Sequence, residues 1–196
     1  MPQKTKNTPM MEQYLSIKEQ YPDAFLFYRL GDFYELFHDD AMKAAKLLEI
    51  TLTSRNKNAD EPIPMCGVPY HAAAEYIRRL VEMGHKVAVC EQMEDAKLTK
   101  GMVRREVVRV ITPGTFLNEN GSESKTNNYL ASVIQNEAGG YGLGYVDIGT
   151  GELKVTLLTN EDAVFNELQT LPFKEIVLGT KTADGLTEKL EKHFGI

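Results

Sequence analysis

The sequence predicts a mixed α/β fold in which a β-sheet is flanked by helices, and three observations support this class. Short β-branched and aromatic runs alternate with helix-periodic segments as far as residue 112. The stretch 118–128 (NENGSESKTNN) then contains no bulky apolar residue and is typical of a linker. Beyond it, three apolar runs separated by glycine turns predict an antiparallel meander.

The first elements have clear local signals. Thr8 and Pro9 suit the N-cap and first position of a helix, which Pro22 would end. The continuous aromatic run 24–30 (AFLFYRL) predicts a strand that is buried on both faces. A Gly31-Asp32 turn separates it from a second extended segment, 33–37 (FYELF).

The remaining elements follow from the same patterns. In the first part we expect a helix over 39–49, a strand over 50–53, a rigid Pro/Gly-framed segment over 64–70, a helix over 71–83, and strands over 86–90 and 104–112. In the second part we expect strands over 129–135, 141–148 and 152–158, a helix over 162–171, a strand over 175–178 and a helix over 183–194. The domains are therefore predicted as 1–116 and 128–196, joined by a linker over 117–127.

Composition limits the classes of function. The 196 residues carry a net charge of −6, with 22 Lys and Arg against 28 Asp and Glu, which argues against a polybasic nucleic-acid binder. The charge is uneven, however: residues 1–116 hold 16 bases and 16 acids, whereas residues 117–196 hold 6 and 12. Within the neutral part, the stretch 97–109 carries five bases and one acid, so it is either a solvated face or a phosphate contact.

The chain has no sign of a membrane segment or of a disulfide framework. It contains no run of 18 apolar residues, and residues 1–7 lack the apolar region of a signal peptide. The two cysteines, Cys66 and Cys90, form no CxxC motif, so they are expected to be reduced core residues in a cytosolic protein.

Motifs for catalysis are scarce. There is no P-loop and no G-x-S-x-G elbow, and the four histidines lack metal-ligand spacing. The one candidate is the segment 147–152 (DIGTGE), where Asp147 ends a strand before a Gly-Thr-Gly turn. Such a turn suits a nucleotide-phosphate site or a ribonuclease-H-like two-metal site, and it equally suits a plain glycine hairpin. The next strand supplies no further carboxylate, which favours the hairpin.

The second unusual place is the segment 33–37. In an extended chain, residues i and i+2 share a face, so Phe33 and Glu35 would point the same way. An exposed ring beside a carboxylate could wedge between stacked bases and contact a base edge. Alternatively, Phe33 belongs to the core and Glu35 is an ordinary surface acid at the end of a strand.

Six segments together resemble the MutS family of DNA mismatch-recognition proteins. They occur in order across residues 8–116: 27–37 (FYRLGDFYELF), 51–53 (TLT), 61–65 (EPIPM), 67–71 (GVPYH), 90–92 (CEQ) and 109–115 (RVITPGT), after the helix that Thr8 begins. The first contains the Phe-x-Glu motif of that family. The resemblance implies that Phe33 stacks beside a mispaired base from the minor groove and that Glu35 hydrogen-bonds to it.

The same resemblance implies flanking DNA contacts. Members of the family place the positions that match Met65, His71, Arg104 and Arg105 near DNA. Two more basic residues, Arg55 and Lys57, are further candidates for contact with phosphate.

Residues 128–196 resemble the start of the family's connector domain, which is ribonuclease-H-like without a catalytic site. This implies the partner MutL and argues against the enzyme alternative at Asp147. Full-length members also carry an ATPase that uses ATP and Mg²⁺ and through which they form homodimers. The chain is therefore expected to be an N-terminal fragment of a bacterial-type member, cytoplasmic and nucleoid-associated, with no enzyme activity, cofactor or metal site of its own.

Overall fold

The computed structural model describes residues 7–56, 61–95, 98–117, 127–180, 182 and 184–194. The chain divides into two compact units, Met1–Ile111 and Thr112–Ile196, and each is described by itself. No helix among these residues is both long and apolar enough to cross a membrane.

The first unit contains a six-stranded mixed sheet with helices, which confirms the predicted class. Its elements are α1 (Pro9–Lys18), β1 (Ala24–Leu30), β2 (Phe33–Phe37), α2 (His38–Leu48), β3 (Thr53–Arg55), β4 (Ile63–Pro69), a 3₁₀ turn (Tyr70–Ala72), α3 (Ala73–Glu82), β5 (Lys86–Gln92) and β6 (Arg105–Ile111). The strand order is β3-β4-β2-β1-β5-β6. Only the neighbours β1 and β5 run parallel within this sheet.

The start of α1 matches the sequence signals. The Thr8 hydroxyl accepts a hydrogen bond from the backbone N–H of Met11, and Pro9 occupies the first helical position. One face of α1 then packs against one face of the sheet, in a core whose buried members are Met11, Tyr14, Ala24, Leu26, Tyr28, Phe37, Ala88 and Cys90. The first five residues of β1 are all buried, as the apolar run predicted.

Two predictions between residues 50 and 70 are wrong. The strand expected over 50–53 is instead β3, because Glu49 ends α2 in a left-handed conformation and Ile50 still bonds to the Ala45 carbonyl. The segment 64–70 was expected only as a rigid Pro/Gly-framed segment, yet most of it belongs to the strand β4, which lies between β2 and β3. Its two prolines lie near its ends: Pro69 is the last residue, beyond the part that β3 covers, and Pro64 is the second residue, before the pairs with β2 begin at Met65.

The carboxylate of Asp40 joins three elements of the first unit. This buried group at the start of α2 accepts hydrogen bonds from the Leu26 backbone N–H of β1 and from the Lys18 ammonium of α1, each at 3.0 Å. Lys18 also donates to the Ala24 carbonyl at 2.6 Å. The arrangement satisfies a buried N–H and keeps a buried charge paired, which is the condition for such a charge to be tolerated.

The second unit contains a four-stranded sheet covered by helices on one face. Its elements are β7 (Tyr129–Gln135), β8 (Tyr141–Asp147), β9 (Glu152–Leu158), α4 (Glu161–Leu168), β10 (Phe173–Leu178) and α5 (Asp184–Phe194). The predicted meander is confirmed, and β10 adds parallel to β7 in the order β10-β7-β8-β9. The opposite face carries Leu153, Val155 and Leu157, all exposed.

Residues just after β6 contact the second sheet. The Asn128 side chain donates to the carbonyls of Pro113 and Phe116, and the Gly114 N–H donates to Glu175. The compact units therefore divide at Ile111, a few residues before the sequence-based boundary at 116. Most of the expected linker, residues 118–126, lies outside the described part of the chain.

The Asp40 network yields a stability prediction. In Asp40→Ala, the Leu26 N–H loses its acceptor and Lys18 loses its counterion inside the fold, so the free energy of unfolding should fall by about 2–3 kcal/mol. Asp39→Ala is the matched control, because it removes an exposed acid from the same helical turn and should cost about 0.5 kcal/mol. Urea unfolding followed by circular dichroism measures both, and equal losses would contradict the proposed role of Asp40.

Candidate nucleic-acid interface

The β1–β2 hairpin presents Phe33 to solvent. Gly31 adopts a left-handed conformation in its turn, and the strands then pair with Leu30 opposite Phe33 and Tyr28 opposite Glu35. The Phe33 side chain is 47% exposed. The alternative in which Phe33 belongs to the core is therefore wrong.

Phe33 and Glu35 lie on the same side of the sheet, as their spacing predicted. Gly67 of β4 pairs with Glu35. A Cβ atom placed on Gly67 would lie 3.5 Å from the Glu35 Cγ and 3.9 Å from the Phe33 Cδ1. Both side chains thus border Gly67, which is exposed and has no side chain. The surface over this glycine is therefore open and lies beside an aromatic ring and a carboxylate.

The next residue on that side, Phe37, is fully buried. Its ring meets the ring of Tyr14 from α1 edge to face, with centroids 4.9 Å apart. Helix α1 therefore covers the sheet at Phe37, while Phe33 at the start of the same strand remains uncovered. The difference between the two phenylalanines comes from what packs on them and not from the strand pattern.

Arg55 reaches the Glu35 carboxylate from β3. Its Nη1 lies 3.1 Å from Glu35 Oε2, and the two side chains are 39% and 20% exposed. Burial raises the pKa of Glu35, and the adjacent Arg55 guanidinium opposes that rise. The site therefore offers a partly buried hydrogen-bond acceptor whose charge is partly balanced.

The hairpin rests on a polar and aromatic cluster that sequence patterns did not reveal. The Arg29 guanidinium lies 4.0 Å from the centre of the Tyr70 ring and forms an ion pair with Glu91 at 3.6 Å. The Tyr34 hydroxyl donates to the same Glu91, and burial together with this carboxylate raises the pKa of Tyr34 to about 12.

Two further hydrogen bonds fix the hairpin turn itself. The Gly31 N–H donates to the Gln92 side chain at 2.8 Å, and the Tyr70 N–H donates to the Asp32 carbonyl at 2.9 Å. Gln92 and Tyr70 occur in the segments CEQ and GVPYH that carry the family resemblance, so a signal was present without an assigned role. Only the fold shows that these two residues hold the hairpin turn.

The other predicted contact residues are not all equivalent. Met65 is half-buried in β4 opposite Phe37, and His71 is exposed in the 3₁₀ turn beside Tyr70. Arg104 is exposed and lies 3.5 Å from Glu106. Lys57 lies outside the described residues.

Arg105 lies inside the first unit, whereas the sequence predicted it as a possible DNA contact. The residue is only 8% exposed. Its guanidinium donates to the carbonyls of Arg29 and Val103 and to the Gln13 side chain, and it lies 5.0 Å from the centre of the Tyr28 ring. Since Nε and Nη1 donate to groups inside the first unit and the residue is buried, Arg105 does not present the exposed guanidinium that a DNA contact needs.

The structure places Asp147 in its own hairpin turn. The buried carboxylate accepts a hydrogen bond from the Gly149 N–H at 2.9 Å, and the Asp147 carbonyl accepts one from the Gly151 N–H. This geometry favours the plain hairpin over a phosphate or metal ligand at this position. Within the described ranges, no three metal-ligating side chains cluster.

The two cysteines are free and buried, as expected from the sequence. Burial raises the pKa of the Cys66 thiol to about 11 and that of Cys90 to about 12. Both are therefore protonated core residues at neutral pH, and neither has the low pKa of a reactive thiolate.

Comparisons with known proteins agree with the two units. A family model described as MutS domain I matches residues 8–120, and one described as MutS domain II matches residues 128–194. A curated relative from Geobacillus sp. (strain WCH70), named DNA mismatch repair protein MutS, is 54% identical over 189 residues, which is 96% of this chain and 22% of the relative.

Other relatives with the same name give similar values. The protein of Geobacillus thermodenitrificans (strain NG80-2) is 54% identical over 188 residues, or 96% of this chain and 21% of the relative. That of Listeria monocytogenes serotype 4b (strain CLIP80459) is 52% identical over 193 residues, or 98% of this chain and 22% of the relative. The chain thus spans about a fifth of the length of these relatives.

The turn contacts predict a local effect of Gln92→Leu. Because Gly31 would lose its side-chain acceptor, its amide should exchange with solvent about tenfold faster, while the free energy of unfolding changes little at this exposed site. NMR-detected hydrogen exchange measures this. Gln20→Leu is the control, since the Gln20 side chain donates to the Ser16 carbonyl of α1 and not to the hairpin turn. An unchanged Gly31 amide would contradict the role given to Gln92.

Proposed function

The chain belongs to the MutS family, and from this premise we propose that its first unit recognises mispaired or looped positions in double-stranded DNA during mismatch repair. In this proposal Phe33 inserts beside the mispair from the minor groove and Glu35 hydrogen-bonds to the mispaired base. The observation that supports it is the half-exposed Phe33 ring, which stands beside the Glu35 carboxylate on an uncovered part of the sheet.

An inserted aromatic ring selects DNA by deformability. Wedging a side chain between base pairs unstacks them and kinks the duplex, at a cost of a few kcal/mol per step. A mispair is already weakly paired and stacked, so the cost there is smaller. The minor groove distinguishes base pairs poorly, which suits a protein that must accept many different mispairs. A rigid hairpin turn helps, because no conformational entropy is then lost in ordering Phe33 when its ring enters the DNA.

Glu35 supplies the second part of the discrimination. A carboxylate near DNA is repelled by phosphate unless it gains a hydrogen bond, either by accepting one from a base N–H or by binding a proton and donating one. Burial raises the pKa of Glu35, which makes protonation in a complex easier. On paired DNA no base is displaced, so the acid gains nothing and the repulsion remains.

Contacts with the DNA backbone complete the proposal for the first unit. The exposed residues His71 and Arg104 and the half-buried Met65 are the remaining flanking candidates, together with Lys57. The unit as a whole has no excess of basic residues. Strong phosphate attraction would hold paired and mispaired DNA alike, so a neutral unit leaves the discrimination to local contacts.

We propose a different role for the second unit, namely contact with the partner protein MutL. Residues 117–196 carry twice as many acids as bases, which disfavours contact with DNA phosphate. The ATP- and Mg²⁺-dependent activity and the homodimer of the family are proposed for the whole polypeptide that contains this chain, in regions outside these residues. A cytoplasmic, nucleoid-associated location is proposed from the DNA-repair names of the relatives.

The central test is Phe33→Ala in the whole polypeptide that contains this chain. We expect it to abolish the preference for a duplex with a single mispair over the fully paired duplex, because the wedge is lost. Fluorescence anisotropy with both duplexes measures the preference. Met83→Ala is the matched control: Met83 is 48% exposed, like Phe33, but follows α3 away from the hairpin. If Phe33→Ala keeps the preference, the proposed mode of recognition is wrong.

The partner role predicts that this chain retains purified MutL on an affinity column and that removal of residues 117–196 abolishes the retention. Because the second unit is acidic, the retention should also weaken as salt is raised. Circular dichroism checks that the shortened chain is still folded. Equal retention with and without these residues would exclude the second unit as the contact.

A further inference from the structure

Among the described residues, Arg55 is the charged residue that forms an ion pair with the proposed base-contacting acid, Glu35. It comes from β3, which is separated from β2 by β4 in the sheet, and 20 positions separate it from Glu35 in the sequence. Its Nη1 contacts Glu35 Oε2 at 3.1 Å. Within the described part of the chain, the Glu35 carboxylate accepts this one hydrogen bond. The other oxygen, Oε1, therefore remains available to a ligand.

The intervening strand leaves room for this contact. The residue of β4 opposite Glu35 is Gly67, which has no side chain to stand between the acid and a group arriving from β3. On its way the Arg55 guanidinium lies 5.9 Å from the centre of the Phe37 ring, within the range of a cation–π contact. The Phe37 ring and the Glu35 carboxylate therefore both fix the position of the guanidinium.

Among the described residues, Arg55 is the charged group that acts on Glu35. From β1 its neighbour is Tyr28, from β4 it is Gly67, and from β3 the guanidinium of Arg55 approaches. Burial disfavours the ionised acid and Arg55 favours it. A guanidinium engaged in this way also attracts phosphate less than a free one would, so its main effect acts on the neighbouring acid.

We propose that Arg55 is a positioning residue for Glu35, which holds the carboxylate beside Phe33 with one oxygen engaged and the other free for a mispaired base. Arg55 thereby sets the preference for mispaired over paired DNA. This inference rests on the proposed function and replaces the simpler expectation that Arg55 contacts phosphate.

The first experiment needs no DNA. Selective NMR detection of the Glu35 side-chain carboxyl carbon through a pH titration of this chain should show a higher pKa in Arg55→Gln than in the unchanged chain. Arg78→Gln is the matched control, because Arg78 forms ion pairs with Glu75 and Glu82 on α3 and should leave the Glu35 pKa unchanged. An unchanged pKa in Arg55→Gln would overturn the inference, whatever happens with DNA.

The second experiment is a double-mutant cycle in the whole polypeptide, with a mispaired and a paired duplex. We expect Arg55→Gln to lower the preference for mispaired DNA about three- to tenfold, which corresponds to about 0.7–1.4 kcal/mol and lies within the range by which contacting residues couple. Glu35→Gln should strengthen binding to paired DNA. In the Glu35→Gln background, Arg55→Gln should leave the preference unchanged, and Arg55→Lys should retain part of it in the original background.

A different pattern would identify Arg55 as a phosphate contact only. Affinity for both duplexes would then fall equally, the salt dependence would weaken by about one counterion, and the effect would add to that of Glu35→Gln. That result overturns the inference while the proposed function stands. Retention of the mismatch preference in Phe33→Ala would instead refute the proposed function, so the two failures are distinguishable.

Discussion

The pairing of β1 with β2 across the Gly31 turn is the constraint on which the candidate interface depends. It places Phe33 opposite Leu30 and Glu35 opposite Tyr28. Side chains alternate between the faces of a strand, so a shift by one residue would turn Phe33 and Glu35 to the side where Tyr34 is buried. Contacts from distant segments hold this register, and the exposed ring is therefore presented by a fixed scaffold.

The interface combines groups that folding alone would not favour. An aromatic ring is half-exposed, an acid is partly buried, and an arginine from another strand is drawn over the sheet to reach that acid. Such a combination suits a unit that distinguishes mispaired from paired DNA by local contacts. The unit has no excess of positive charge with which to bind every duplex through its phosphates. The buried charge of Asp40, in contrast, is fully paired, by Lys18 and by the Leu26 N–H.

Local patterns were sufficient for most elements but not for all of them. The Thr8 cap, the buried strand β1 and the meander β7–β9 follow from neighbouring residues, and all appear as expected. The strand β3 begins later than expected, because Glu49 ends the preceding helix in a left-handed conformation. The strand β4 was missed, because its two prolines are unusual in a strand. In both cases pairing with another strand overrode the local preference.

Residue order alone established that Phe33 and Glu35 share one side of a strand, because alternation is a property of the local backbone. It could not decide which side chains are covered, since burial depends on segments far away in the chain. Arg105, a basic residue expected outside, lies inside because Gln13 and Arg29, 92 and 76 positions away, surround it with acceptors. Phe33 is an aromatic residue, which burial would favour. It is nevertheless exposed, because α1 covers Phe37 and leaves the start of β2 open.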